Sequence, residues 1–364
     1  MCTTLAYTDA NGAVYLGRTS ELDVEEPWSV AYVPAGGSFR SQVPDQEPFE
    51  FSIKWAFIAA TPTHHIRPDD LKATEGLNEA GVTYSLLAYP STPGDGSAVE
   101  RTKAALDALD LGAWILGSHS SVAEARAALD QQPIHLTKLK MVGNAEFPFH
   151  AVVHDRTGAS IVIEWDKGEQ RVYDNPVNVM TNGPAFAWHL TNLRNWTHLS
   201  NVDNSSATFG ALHVTQPDSG IATAALPSSN TSVGRFIRAV YYSNFAEKVT
   251  APDQAMLTLA RIMNNFDRPR NITVDLPDSS GESITIQGTS RGGPPTEYTT
   301  WTNLSDLHGG QFFLRTYDAF NYTMFDLGRL TKADGLRALP TASLDPLGGD
   351  GTDSLLAGIV ASPQ

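Results

Sequence analysis

The chain has 364 residues, with 25 Lys and Arg against 40 Asp and Glu, a formal net charge of −15. Apolar residues make up 41% and charged residues 18%, enough for one large domain or two ordinary ones and too apolar for a disordered chain. So acidic a surface repels phosphate backbones and anionic bilayers, no stretch reaches the roughly 18 apolar residues of a spanning helix, and the single cysteine, Cys2, excludes an intrachain disulfide and a Cys-rich zinc site.

The opening Met1-Cys2-Thr3-Thr4 lacks the basic and apolar regions of a signal peptide. The expected compartment is the cytoplasm, or the periplasm if a leader has been trimmed. Thr3 and Thr4 are small, so an aminopeptidase can remove Met1 easily. Cys2 then carries a free α-amino group, whose pKa of about 7.7–8.0 makes it a base near neutral pH. Thiol and amine on one residue supply both nucleophile and general base.

Residues 5–8 and 14–18 read as two strands joined by Asp9-Ala10-Asn11-Gly12, with Asn-Gly turn chemistry. Cys2 opens this hairpin, and Arg18 closes it at the same end, where a cation favours the thiolate. Residues 51–60 form an apolar strand candidate. Glu75-Gly76-Leu77-Asn78-Glu79-Ala80-Gly81 reads as a turn leading into a strand at 82–89. Residues 98–109 have helical composition, and Ser121-Val122-Ala123-Glu124 is a capping box opening a helix through Leu129. Residues 149–174 read as a three-stranded meander. Residues 185–197, 232–246 and 252–265 read as helices, and strands return near 282–288, 296–303, 310–316 and 320–326. The tail, 332–364, is rich in Gly, Pro, Ser and Asp and is expected to be peripheral to a domain spanning 1–331. Strands, then helices, then strands predict a single α+β domain with sheets sandwiched by helices.

Several segments, taken in order, resemble the choloylglycine hydrolase and penicillin V acylase family. They are Cys2, Gly17-Arg18-Thr19-Ser20-Glu21, Glu75 to Gly81, Asp174-Asn175-Pro176 with Thr181-Asn182-Gly183-Pro184, Ser232-Val233-Gly234-Arg235-Phe236-Ile237-Arg238-Ala239, Glu297 to Thr302, and Leu314 to Asp318. The resemblance runs from residue 2 to about 327. It implies the αββα four-layer fold of Ntn hydrolases, and an enzyme that cleaves linear amides without a cofactor or metal. It also implies a small-molecule amide substrate and a homo-oligomer, a tetramer, with no nucleic acid and no membrane insertion.

By the same resemblance, Cys2 is nucleophile and base, Arg18 sits beside the thiolate, Asn182 donates to the oxyanion, and Arg235 completes the charged floor. A main-chain N–H ten residues beyond Asn78 is the second oxyanion donor, which is Ala88 here, with Tyr89 beside it. The family often has Asn, Tyr or Trp at that position. The residue three after Arg18 is usually Asp and holds the α-amino group. This chain has Glu21, with Asp23 nearby but at the wrong spacing.

Such residues perform amide hydrolysis by thiolate attack, proton transfer through the α-amine, and a thioester that water cleaves. Arg235 and Arg238 lie three apart on one helix, so one is expected to face the site and the other the surface. His64, His65 and His119 lack metal-ligand spacing, and the Gly-Gly pairs lack the Lys of a phosphate loop. Trp28, Tyr32, Trp55, Tyr89 and Phe186 are candidates for an aromatic acyl pocket, with core packing as the plainer reading. An aromatic pocket suits penicillin V or an N-acyl homoserine lactone. The alternatives are a conjugated bile salt hydrolase and a non-catalytic relative that binds acylated ligands.

Overall fold

The computed structural model describes residues 1–22, 27–67, 69–89, 104–139, 145–166, 169–274 and 296–358. Two antiparallel-dominated sheets lie face to face. The seven-stranded sheet runs in the order Val179–Met180, Cys2–Thr8, Val14–Leu22, Tyr298–Asp306, Gln311–Thr316, Thr323–Asp326, Gly349–Asp350. The eight-stranded sheet runs Glu169–Asp174, Ser160–Asp166, Phe149–His154, Thr83–Ala88, Glu75–Asn78, Phe57–Pro62, Trp28–Val33, Arg337–Pro340.

One apolar cluster, including Ala6, Leu16, Val30, Ile58 and Trp301, fills the space between the sheets. Another joins the eight-stranded sheet to the helices Leu111–Ser118 and Val122–Leu129. A third buries the inner faces of Ser232–Phe245 and Pro252–Met263 against the seven-stranded sheet. Gly17 permits that contact, because a Cβ there would lie 2.6 Å from the sulfur of Met263. The result is the expected αββα layering.

The first hairpin is longer than expected, Cys2–Thr8 with Val14–Leu22, and its turn is tied by Asp9, which accepts from the N–H groups of Asn11 and Ala13 at 2.8 Å each. The meander appears as Phe149–His154, Ser160–Asp166 and Glu169–Asp174. Ser121 caps its helix, and its hydroxyl accepts from the Glu124 N–H at 3.2 Å.

Other expectations need correction. Residues 51–60 are two strands, Phe49–Ser52 and Phe57–Pro62, because the N–H groups of Lys54 and Trp55 turn to the Gly117 carbonyl. Glu75–Asn78 is a strand rather than a turn. Within 98–109, the described residues form the short strand Leu106–Asp107 and a 3-10 turn, and the helix begins only at Leu111. The strand expected at 282–288 lies outside the described residues. Residues 332–358 are no outlying tail. Arg337–Pro340 pairs with Trp28–Val33, Gly349–Asp350 pairs with Thr323–Asp326, and Leu355 is buried.

Candidate active site

The hairpin register sets Cys2 opposite Ser20 and Thr4 opposite Arg18. Period-two alternation then puts Cys2 and Arg18 on one face, between the sheets. Arg18 Nη2 lies 3.4 Å from Cys2 Sγ and also donates to the Leu86 carbonyl. The Trp301 ring covers the guanidinium, its centroid 4.6 Å from Cζ. Behind it, Glu75 Oε2 faces Arg18 Nε at 3.6 Å, and both side chains are buried. Burial pushes the Glu75 carboxyl up to about 8, against the pull of Arg18.

Asn182 is the junction of the site. Its Oδ1 accepts from the Cys2 N–H at 2.8 Å and from Arg235 Nη2 at 2.6 Å, while its Nδ2 donates to the Ala88 carbonyl at 2.7 Å. The Ser232–Phe245 helix carries Arg235 into the site, where Nη1 donates to the Cys2 carbonyl and, at 2.7 Å, to Thr3 Oγ1. Along the Thr83–Ala88 strand, the Leu86 N–H points to Thr74 and the Tyr89 N–H to Pro148. Alternation therefore aims the Ala88 N–H to the Leu86 side, past the end of the Glu75–Asn78 pairing. The thiol, Arg18, Asn182, Arg235 and the Ala88 backbone are thus all brought together.

In the Met1-bearing chain Cys2 has no free α-amine, and the Glu21 carboxyl is held by Thr299. A bulge opposite Ser20 and Glu21 leaves Thr300 unpaired in the register, and Glu21 turns to Thr299, whose hydroxyl donates to its Oε1 at 3.0 Å. Its Oε2 is buried without a hydrogen-bond partner. Burial raises the Glu21 carboxyl above its usual range, against Arg235 and the terminal amine. With Met1 in place, the chain's amine donates to the Glu21 carbonyl at 2.7 Å and to Glu297 Oε1 at 3.0 Å. Burial works to raise Glu297, but that amine and Arg268 outweigh it and hold its carboxyl below the usual range. Asp23 lies outside the described residues.

Arg238 does not face solvent as one of the helical pair was expected to. It is buried and donates to the carbonyls of Pro227 and Ser229 at 2.7 and 2.6 Å, pinning the loop before the helix. Of the aromatic candidates, Tyr32 and Phe186 are core, Trp28 packs edge-on against Trp301 at 5.4 Å, and Trp55 lines a separate pocket with Trp114. Tyr89 alone adjoins the site, stacked flat on His150 with centroids 4.9 Å apart. Among the described residues, no three His, Cys, Asp or Glu side chains are grouped to hold a metal ion.

Four side chains of the site's surroundings went unnoticed in the sequence: Glu75, Glu297, His150 and Glu164. Glu75 and Glu297 head segments singled out for other residues. His150 and Glu164 flank the apolar runs Ala151-Val152-Val153 and Ile161-Val162-Ile163, and a polar residue at an inward position beside such a run is the signal that could have found them.

The model of the choloylglycine hydrolase family, linear amide C–N hydrolases, matches residues 2–334. The bile salt hydrolase/transferase of Clostridium perfringens is 24% identical over 330 residues, covering 90% of this chain and 93% of the relative. The penicillin V acylase of Pectobacterium atrosepticum is 23% identical over 353 residues, covering 91% and 82%. A solved structure of the conjugated bile acid hydrolase from Clostridium perfringens superposes with a TM-score of 0.78 at 22% identity, covering 96% of this chain and 98% of that one. The layered fold is therefore that of the Ntn hydrolases.

Proposed function

The chain belongs to the choloylglycine hydrolase family of linear amide C–N hydrolases, and we propose that it acts through Cys2 as an N-terminal nucleophile once Met1 has been removed. The observation that carries this reading is the convergence on Cys2 of Arg18 at its sulfur and Asn182 at its nitrogen. Removal of Met1 turns that nitrogen into a primary amine still facing Asn182 Oδ1. The amine takes the thiol proton, and the thiolate, beside Arg18, attacks the amide carbon. The oxyanion forms between Asn182 Nδ2 and the Ala88 N–H, with Nδ2 leaving the Ala88 carbonyl. Collapse breaks the C–N bond, and the ammonium hands its proton to the departing amine. Water then attacks the thioester, releasing the carboxylic acid and restoring the thiol. Arg235 holds Asn182 and the Cys2 carbonyl in place, and Glu21 supplies a buried carboxyl next to the new amine.

The substrate reading is an amide with a small aromatic or medium fatty acyl group, as in penicillin V or an N-acyl homoserine lactone. Tyr89, beside Ala88, supports an aromatic wall at the acyl side. A net charge of −15 favours the neutral lactone over anionic amides. The second reading is a conjugated bile salt, favoured by the named activity of the Clostridium perfringens relative. Turnover of penicillin V, an acyl homoserine lactone and glycocholate, compared by kcat/KM, separates them. A preference for glycocholate contradicts the first reading, and no turnover of any in Met1-free protein contradicts both.

Self-association is part of the proposal. The hairpin Ser206–Phe209 with Leu212–Thr215 exposes Phe209, Leu212 and Val214, an apolar surface of the kind a second copy covers. A monomer by light scattering would contradict it.

A further inference from the structure

Both proposed oxyanion donors rest on one buried side chain. His150, on Phe149–His154, is fully buried. Its Nε2 lies 3.0 Å from the Thr181 carbonyl, the residue before Asn182, and its Nδ1 lies 3.1 Å from Glu164 Oε1. Its flat face stacks on Tyr89, the residue after Ala88. Glu164 is buried too, and its two oxygens accept from the Phe186 N–H at 3.0 and 3.1 Å. The ring therefore touches the chain next to each donor, and the carboxylate fixes the ring.

The proton inventory makes this pair specific. The Thr181 carbonyl accepts only, so Nε2 carries a proton. A second proton lies between Nδ1 and Glu164. A buried ring with an unmatched nitrogen is costly, so the pair holds the ring in one orientation.

The rest of the Thr181–Asn182 segment is similarly tied. Ser232 Oγ accepts from the Asn182 N–H at 2.9 Å, and His189 Nε2 lies 2.9 Å from the Asn182 carbonyl. His189 is stacked on Phe236 at 4.4 Å. His150 differs from these supports in reaching the Ala88 side as well.

We propose that His150, locked by Glu164, is a positioning residue that sets the spacing of Asn182 Nδ2 and the Ala88 N–H, and so the depth of the oxyanion hole. This rests on the reading of those two groups as oxyanion donors. A misplacement of about 1 Å at such a site costs on the order of a hundredfold in rate, whereas a flat ring kept at position 150 leaves Tyr89, the wall proposed for the acyl group, stacked as before. The effect falls on kcat and not on KM.

The test uses Met1-free enzyme with whichever amide of the panel it turns over. His150→Phe keeps a flat ring against Tyr89 but cannot hold Thr181. We expect kcat to fall at least tenfold with KM within about threefold, in protein of native circular dichroism. Glu164→Gln should be tolerated, because its amide N–H can meet a neutral ring at Nδ1 while Nε2–H still meets Thr181. Glu164→Leu should lose activity as His150→Phe does. If His150→Phe fails to fold, the Glu164→Gln and Glu164→Leu contrast carries the test. Equal kcat in those two, or an unchanged kcat in folded His150→Phe, overturns the inference. Asn182→Ala separates the layers. If it turns over like wild type, the oxyanion reading itself fails. If it is crippled while His150→Phe is intact, only the positioning role fails.

Discussion

Replacing Asn182 tests the site where most of its contacts meet. The side chain accepts from Cys2 and Arg235 through Oδ1 and donates to Ala88 through Nδ2, all within 2.8 Å. Asn182→Ala removes all three hydrogen bonds. Each buried group left unpaired costs about 1–3 kcal/mol of stability. Loss of one oxyanion donor costs about 3–4 kcal/mol in the transition state, or roughly a hundred- to a thousandfold in kcat. Asn182→Asp separates the two effects. It keeps the acceptor for Cys2 and Arg235, gaining a charge beside the guanidinium, but has no N–H for the oxyanion. Its second carboxylate oxygen meets the Ala88 carbonyl where Nδ2 donated, so its urea midpoint should fall, but by less than that of Asn182→Ala, while its kcat falls as far. Steady-state turnover and urea denaturation of both variants provide the assay. Turnover of Asn182→Asp within about threefold of wild type would refute the oxyanion role, and equal destabilisation of both variants would refute the role of Oδ1 as the acceptor.

Other outcomes follow from the same geometry. Glu21→Gln should lower kcat by roughly 10- to 150-fold, the worth of a charge-assisted contact to an ammonium; a silent Glu21→Gln beside a crippled Glu297→Gln would move that contact to Glu297. Protein made with methionine aminopeptidase inhibited should keep Met1, fold normally and be inactive, because an amide nitrogen has no useful basicity; full turnover by Met1-bearing protein contradicts this. Burial lowers His154 and His189 to about 4. A depressed folded pKa contributes stability that is present above the unfolded value near 6.5 and lost as pH falls through about 4, roughly 3 kcal/mol each at most. The melting temperature should drop over that interval, less so in His189→Phe; a flat profile there is the contrary result. Glu75 has the opposite sign. Its contribution is present below a pH of about 4.5 and lost as pH rises through about 8, so Glu75→Gln should flatten the stability profile across that interval.

The parts of the fold that could be read from the sequence were those whose turn chemistry and alternation are local. Asp9 to Gly12 and Asp155 to Gly158 carry their own turn signals, and the strands beside them alternate regularly. The helix Leu111–Ser118 went unread because seven of its eight residues are buried, which erases the amphipathic period. The break between Ser52 and Phe57 depends on Gly117, far away in sequence. The edge strand Arg337–Pro340 exists through pairing with Trp28–Val33, and its composition resembles a loop. At the site, Cys2 and Arg18 were readable together because one hairpin joins them. Asn182 and Arg235 came from resemblance alone, since no local pattern brings residues this distant to one sulfur. Glu21 matches the motif's position in the chain, but its contact to the Thr299 hydroxyl depends on a bulge at Thr300 that spacing does not reveal.

The most direct measurement is the intact mass of the enzyme, trapped by acid quench during turnover of a slowly hydrolysed acyl amide and mapped by peptide fragmentation. Cys2 is the chain's only cysteine, so a thioester can form at a single place. The prediction is protein lacking Met1, with one acyl group on the Cys2 sulfur that disappears as substrate is consumed and never appears in Cys2→Ala. Undiminished turnover by Cys2→Ala, or by protein that still carries Met1, would contradict the N-terminal nucleophile.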